Sequence, residues 1–232
     1  MSDTLHWRGG WARVSPWRGD GRVAHLVVGT EIPPTDEVVQ RCVERIRGRG
    51  YEAVVTSALT PAESLPFVDA GFALRERLHL LEHDLSRLPA RRHGTRRARP
   101  RDRPEVLAID ALAFVEFWHF DDLGLDEAIA ATPISRFRVI EVPGERAALA
   151  GYAVSGRAGA FGYLQRVAVH PSHRGGGLGN ALVADALRWF RRHRVERALV
   201  NTQVGNDAAL GLYARCGFRR LPVWLSVLGR SL

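Results

Sequence analysis

Residues 163–179 read YLQRVAVHPSHRGGGLG, an apolar segment that runs into a glycine-rich turn, and a long helical pattern follows directly. A strand that leads through such a turn into a helix places several unpaired backbone N–H groups around one point. The helix macrodipole adds partial positive charge there. Glycine leaves room for an anion and tolerates positive φ angles. The stretch therefore predicts a strand, a loop and a helix that together bind a phosphate or pyrophosphate.

Spacing separates three kinds of phosphate loop. A Walker A loop ends in Gly-Lys-Ser/Thr, whereas Gly179 is followed by Asn180 and the chain contains no lysine. A dinucleotide fingerprint needs its third glycine at position 180, which is Asn180. The pattern that fits is R-x-x-G-x-G, from Arg174 to Gly179. For the loop taken alone, a glycine-rich turn without a ligand stays open as the alternative.

A second motif follows in the same half of the chain. Residues 195–204 predict a strand, and residues 206–218 read NDAALGLYARCGF. Asn206 can cap the helix that this segment predicts, and Gly217 can end it. The loop and this helix, in this order, resemble the GNAT N-acetyltransferase superfamily, whose members carry N-x-x-A-x-x-L-Y-x-x-x-G-F here. The resemblance covers residues 94–232, because residues 95–114 are similar to the family's opening strand and first helix.

The resemblance implies an α/β (α+β) fold of the GNAT acyl-CoA N-acyltransferase type, a mixed twisted sheet flanked by helices. It implies acetyl-CoA as cosubstrate, no metal, and a sheet that splits near residues 167–169 to admit the pantetheine arm. Tyr213 matches the family's general acid beside the coenzyme A sulfur. The implied cofactor-binding residues are Val167, Ala168, Val169, Arg174, Gly175, Gly176, Gly177, Leu178, Gly179, Asn180, Asn206 and Tyr213.

The general base is the least defined part of the predicted site. Many relatives carry a glutamate where this chain has Gln165, and a glutamine cannot take a proton. It can orient a water or hydrogen-bond a substrate. Other base candidates are Glu116 and His119, in a segment that also contains Asp121 and Asp122. A surface or core role is open for each of them.

The positive charge is concentrated in one connecting segment. The chain has 232 residues and a net charge of +8, and residues 86–104 hold eight arginines against one aspartate. This argues against a nucleic-acid-binding face spread over a domain. We expect a solvated arginine-rich linker at residues 89–93, with attraction of an anionic cofactor or of an acidic partner as the alternative.

Composition predicts a cytoplasmic protein, and we expect a monomer or a homodimer. No apolar run reaches the length of a membrane span, and the N-terminus lacks the pattern of a signal peptide. Cys42 and Cys216 each lie in a predicted amphipathic helix, which favours two buried thiols over a disulfide or a metal site.

Residues 1–88 resemble a truncated, degenerate copy of the same family unit. Helices are predicted at residues 36–48 and 60–71, and strands at 51–59 and 74–85, which repeats the order seen in residues 178–228. Aligning Gly71 on Gly217 puts Phe67 opposite Tyr213, and no R-x-x-G-x-G precedes the first helix. We expect this half to bind no cofactor. An unrelated small α/β cap is the alternative.

The sequence thus predicts an N-acetyltransferase that moves the acetyl group of acetyl-CoA to a primary amine of a small molecule, protein or peptide. Direct attack within a ternary complex is the expected mechanism. The alternative is a non-catalytic acyl-CoA-binding protein with a regulatory or scaffold role, since a carboxylate is missing at Gln165.

Overall fold

The computed structural model describes residues 3–30, 32–90, 92–142 and 148–232. In these ranges the chain forms eleven strands and six α-helices, in two compact units. The first unit comprises Met1–Leu80, Gln203–Gly205 and Leu221–Leu232, and the second comprises Leu81–Thr202 and Asn206–Arg220. The sequence predicts that an N-terminal region ends at residue 88 and that a catalytic domain begins at residue 94. These two borders stay predictions.

The first unit is a mixed sheet with two helices. The sheet runs in the order β1-β2-β3-β4-β11-β5, with β3 and β4 parallel and β4 and β11 antiparallel. Its elements are β1 (Asp3–Trp7), β2 (Gly10–Trp17), β3 (Asp20–Thr30), α1 (Asp36–Arg47), β4 (Ala53–Thr56), α2 (Pro61–Asp69), the first part of β5 (Ala73–His83) and most of β11 (Arg219–Ser231).

The last strand of the chain completes the core of the first unit. Gly229 pairs with Val55 across β11 and β4, and Leu228, 2% exposed, packs in one cluster with Ile46 and Phe67. Cys42 belongs to the same cluster and is a free, buried thiol, as predicted. Burial raises the pKa of Cys42 to about 11.

The second unit is also a mixed sheet, in the order β10-β9-β8-β7-β6. Strands β9 and β10 are parallel, and the other neighbours are antiparallel. Its elements are β6 (Arg96–Arg97), α3 (Arg103–Ala113), α4 (Asp122–Ala130), β7 (Ile134–Glu141), β8 (Leu149–Ala158), β9 (Phe161–Val169), α5 (Leu178–Arg192), β10 (Arg197–Gln203) and α6 (Asp207–Arg215). The predicted α/β fold with a mixed sheet is confirmed.

Helices α2 and α6 end in the same way, which supports the predicted repeat. After α2, Gly71 adopts φ +82° and the Phe72 amide donates to the Phe67 carbonyl at 2.9 Å. After α6, Gly217 adopts φ +93° and the Phe218 amide donates to the Tyr213 carbonyl at 3.0 Å. Each glycine takes the left-handed conformation that closes a helix with a six-to-one hydrogen bond.

The two aromatic pairs at these helix ends match as well. The Phe67 and Phe72 rings lie 5.3 Å apart, and the Tyr213 and Phe218 rings lie 5.6 Å apart. Phe67 therefore occupies in the first unit the place that Tyr213 occupies in the second.

A buried ion pair joins α3 to β9 in the second unit. Asp110 is fully buried and receives two hydrogen bonds of 2.8 Å from the guanidinium of Arg166. The Tyr152 hydroxyl and the Phe120 amide also donate to this carboxylate. The Arg166 guanidinium lies over the Phe114 ring, 3.4 Å from its centroid. This network fixes the chain between α3 and α4 against the middle of β9.

Replacing Asp110 by alanine should lower the free energy of unfolding by about 3–5 kcal/mol, because the Arg166 charge stays buried without its partner. Urea-induced unfolding measures the change. The double variant Asp110→Leu/Arg166→Met removes both charges. Its free energy of unfolding should fall by less than that of Asp110→Ala. Asp69→Ala, an exposed aspartate at the end of α2, is the control and should stay within about 0.5 kcal/mol of the wild type. A similarly small effect of Asp110→Ala would contradict this role of the ion pair.

Candidate active site

One extra residue in β9 shapes the candidate site. Val154 pairs with Arg166 and Ser155 pairs with Leu164, so Gln165 has no opposite residue in β8 and forms a β-bulge. A bulge bends its strand and increases the local twist. It also re-aims the side chains: Leu164 packs in the cluster of Phe190 on α5, whereas Arg166 reaches Asp110 on α3.

The sheet splits directly before this bulge. Strands β9 and β10 pair only at three positions, the last of which joins Tyr163 to Leu199. On its other edge, β9 stays paired with β8 up to Val169. The edge of Val167, Ala168 and Val169 that faces β10 therefore has no strand partner in the described chain. An extended ligand with amide groups could pair with this edge as an added strand does.

The glycine-rich loop follows β9 and opens α5. Gly175 and Gly177 adopt φ angles of +85° and +82°, which L side chains rarely take, so glycine is required at both. A side chain at Gly175 would meet no atom within 4 Å, and one at Gly176 only the His173 carbonyl at 3.9 Å. The loop thus leaves open space beside the amides that begin α5, which suits an anion such as a pyrophosphate.

Two polar side chains of the loop region form hydrogen bonds with other residues of the chain. The guanidinium of Arg174 donates to the Val169 carbonyl at 3.4 Å. Asn180 donates from Nδ2 to the Ala90 carbonyl at 2.8 Å, and its Oδ1 accepts from the Cys216 thiol at 3.2 Å. Cys216 is free and buried, as predicted, and burial raises its pKa to about 11. The Arg174 backbone amide donates to the Pro171 carbonyl at 3.3 Å. Of these two residues, only Asn180 therefore keeps a backbone amide that suits the predicted role at a phosphate.

Tyr213 lies on α6, inside the second unit, and is 6% exposed. Burial raises its pKa above the ordinary range, the nearby Cys216 raises it further, and Arg166 opposes the shift. Tyr213 therefore stays protonated at neutral pH and can only give a proton. Asn206 caps this helix by accepting from the Ala209 amide at 3.1 Å.

The base candidates from the sequence are mostly engaged in local structure. His119 hydrogen-bonds the Phe114 carbonyl at 2.9 Å, and Asp121 caps α4 through the Gly124 amide at 2.7 Å. Asp122 pairs with Arg103. Glu116 is exposed in a short 3-10 helix, Glu116–Trp118. No described cluster of His, Cys, Asp or Glu could hold a metal ion.

Gln165 faces Thr132, to whose hydroxyl its Nε2 donates at 3.3 Å. Its Oε1 is buried and accepts no hydrogen bond from the described residues. A buried acceptor without a donor is costly, and a substrate N–H is a group that could satisfy it. The side chain lies over β8, where a Cβ at Gly156 would come within 2.9 Å of its Nε2.

Sequence reasoning missed the Asp110–Arg166 pair, which holds the segment before α4. Nothing in the spacing of these two residues, 56 positions apart, indicates that they meet. An arginine in an otherwise apolar strand is the one signal that could have been used, since a buried charge needs a partner.

Among the described residues of the first unit, those directly before α1 do not form an anion loop. Pro33 and Pro34 precede α1 and have no N–H to donate. The Thr35 hydroxyl accepts from the Val38 amide at 3.5 Å, and Asp36 and Glu37 put negative charge in the first turn. The helix start is therefore capped by the chain itself and repels a phosphate.

Known proteins with similar folds match almost the whole chain. A tandem GNAT protein from the clavulanic acid biosynthesis pathway matches with a TM-score of 0.67, at 14% identity over 96% of this chain and 79% of that one. A GCN5-related N-acetyltransferase from Kribbella flavida matches with a TM-score of 0.65, at 18% identity over 99% of this chain and 89% of that one. At such identities the likeness shows the fold.

A curated relative matches a shorter part of this chain. N-alpha-acetyltransferase 30 from Saccharomyces cerevisiae is 37% identical over 60 residues, which are 26% of this chain and 34% of that protein. The match thus spans about a third of that relative's length. No helix of the described chain is both long and apolar enough to cross a membrane.

The family model of the Acetyltransferase (GNAT) family matches residues 103–218, which is half of the 232-residue chain and includes the open edge of β9, the glycine-rich loop and Tyr213. The chain belongs to the GNAT acetyltransferase family.

Proposed function

We propose that the protein is an acetyl-CoA-dependent N-acetyltransferase that acetylates a primary amine by direct attack in a ternary complex. The observation that carries the proposal is the unpaired edge of β9, which runs straight into the glycine-rich loop at the start of α5. An extended arm that ends in a pyrophosphate fits this sequence of strand edge and anion loop. Acetyl-CoA supplies an activated thioester when it is bound.

Each part of the site has a separate task in this proposal. The edge formed by residues 167–169 pairs with the pantetheine amides, and the amides of residues 175–180 bind the pyrophosphate. A backbone amide of residues 167–169 donates to the carbonyl oxygen as negative charge develops on it, which is the largest single contribution in many acyl transfers. Tyr213 donates its hydroxyl proton to the departing sulfur.

Gln165 orients the amine in this account. Its free Oε1 accepts an N–H of the acceptor and turns the nitrogen lone pair towards the carbonyl. Because an amide takes no proton, the amine has to arrive neutral. Once the C–N bond has formed, the nitrogen gives one proton to water, and water returns a proton to the Tyr213 oxygen after Tyr213 has protonated the departing sulfur. Activity should therefore rise with pH until the acceptor amine is deprotonated. The relative named an N-alpha-acetyltransferase makes the α-amino group of a peptide the first acceptor to assay.

One observation favours a second candidate function, a non-catalytic acyl-CoA-binding protein. The place of the usual glutamate holds Gln165, and three of the four acidic or histidine candidates nearby are engaged in local structure. Release of free coenzyme A in the presence of a panel of amines and peptides separates the two functions. The two free cysteines agree with a place in the reducing cytoplasm.

A carboxylate in the glycine-rich loop should abolish binding of acetyl-CoA. Gly176 suits the test because its φ is not in the left-handed region and space is open around it. Gly176→Glu places negative charge beside the pyrophosphate, whereas Gly176→Gln adds the same volume without charge. We expect acetyl-CoA to raise the melting temperature of the wild type and of Gly176→Gln, but not that of Gly176→Glu. Equal shifts for both variants would contradict the placement of the pyrophosphate.

Removing the hydroxyl of Tyr213 should slow the reaction without weakening the binding of acetyl-CoA. Tyr213→Phe keeps the buried ring and should lower kcat by about 100-fold, the scale of a general acid's contribution. The dissociation constant of acetyl-CoA should stay unchanged. Tyr51→Phe, a half-buried tyrosine of the first unit, is the control and should keep full activity. A Tyr213→Phe variant with unchanged kcat at saturation would exclude this residue as the proton donor.

A further inference from the structure

The segment at residues 89–93, predicted as a solvated linker, contacts the glycine-rich loop and α5. His93 places Nε2 3.0 Å from the Gly176 carbonyl. The Asn180 side chain donates to the Ala90 carbonyl at 2.8 Å, and the Arg188 guanidinium donates to the Pro89 carbonyl at 2.8 Å. Residue 91 lies outside the described residues. Three contacts thus attach this segment to the loop and to the helix that begins there.

The His93 contact acts on the loop through one peptide plane. A carbonyl can only accept, so Nε2 of His93 carries the proton and donates it. The peptide between Gly176 and Gly177 is planar and trans, which makes its C=O and N–H point in opposite directions. Holding the Gly176 carbonyl towards His93 therefore aims the Gly177 N–H away from His93. This amide precedes α5 and is among those predicted to bind the pyrophosphate.

The loop needs such a restraint. Three consecutive glycines, Gly175 to Gly177, give the free chain more backbone freedom than any other sequence of that length. A ligand that orders the loop only on binding loses affinity to the entropy of ordering. A hydrogen bond that orders the loop beforehand removes part of that cost.

We propose that Ala90 and His93 hold the glycine-rich loop in place, and that His93 is a positioning residue. From the side of the loop opposite the pyrophosphate, His93 pre-orients the Gly177 amide for it. The inference rests on the proposed function, since it assumes that a coenzyme A pyrophosphate binds this loop. It adds a residue outside the R-x-x-G-x-G pattern, 81 positions before Arg174 in the chain.

The test compares His93→Ala with His93→Gln, whose amide nitrogen can donate in place of Nε2. Calorimetry with acetyl-CoA and amide hydrogen exchange of the unliganded proteins are measured on the full chain. His93→Ala should bind acetyl-CoA about 3- to 10-fold more weakly, the scale of one hydrogen bond, and its amides at residues 175–179 should exchange faster. His93→Gln should restore most of the affinity for acetyl-CoA and most of the protection of these amides from exchange. His6→Ala, an exposed histidine of the first unit, should match the wild type.

A residue that only packs the segment would lower the melting temperature without changing loop exchange or affinity. Wild-type affinity in His93→Ala, or an equal loss in His93→Ala and His93→Gln, would overturn the positioning role while the proposed function stands. Failure of the wild type to bind acetyl-CoA would overturn the proposed function, and this inference with it.

Discussion

The extra residue in β9 is the constraint on which the rest of the site depends. Because Gln165 has no opposite residue in β8, side chains before and after it face different helices. Leu164 packs towards α5, and Arg166 turns towards Asp110 on α3. The pairing with β10 ends at Tyr163, which leaves unpaired the edge that we propose for the pantetheine arm. The bulge thus lies close to the end of the β9–β10 pairing, next to Arg166 of the buried ion pair, and it holds the unpaired Oε1 of Gln165.

The two units show how one architecture can keep or lose a binding site. Both contain a parallel strand pair joined by a helix, and both carry the same glycine-closed helix followed by phenylalanine. They differ where chemistry would occur. The second unit has glycines and open amides before α5, whereas the first has two prolines and acidic residues around the start of α1. Phe67 has no hydroxyl to give where Tyr213 has one.

Local signals predicted much of the fold and of the candidate site. The glycine loop, the caps at Asn206 and Gly217 and the helix stripes each depend on neighbouring residues, and the helices they predict are present. Features that depend on distant pairing were not predictable. The bulge at Gln165 needs the register with β8, the Asp110–Arg166 pair joins two distant segments, and β11 pairs with β4 far back in the chain. Strands β1 to β3 were not predicted either.

The central claim is that one anion loop, at the start of α5, makes this chain a binder of one acetyl-CoA. Titration calorimetry of the full chain with acetyl-CoA tests it most directly, because it counts sites without requiring knowledge of the acceptor amine. We expect a stoichiometry of one cofactor per chain, since prolines and carboxylates at the start of α1 leave no anion site there. Two sites per chain, or no binding at all, would contradict it.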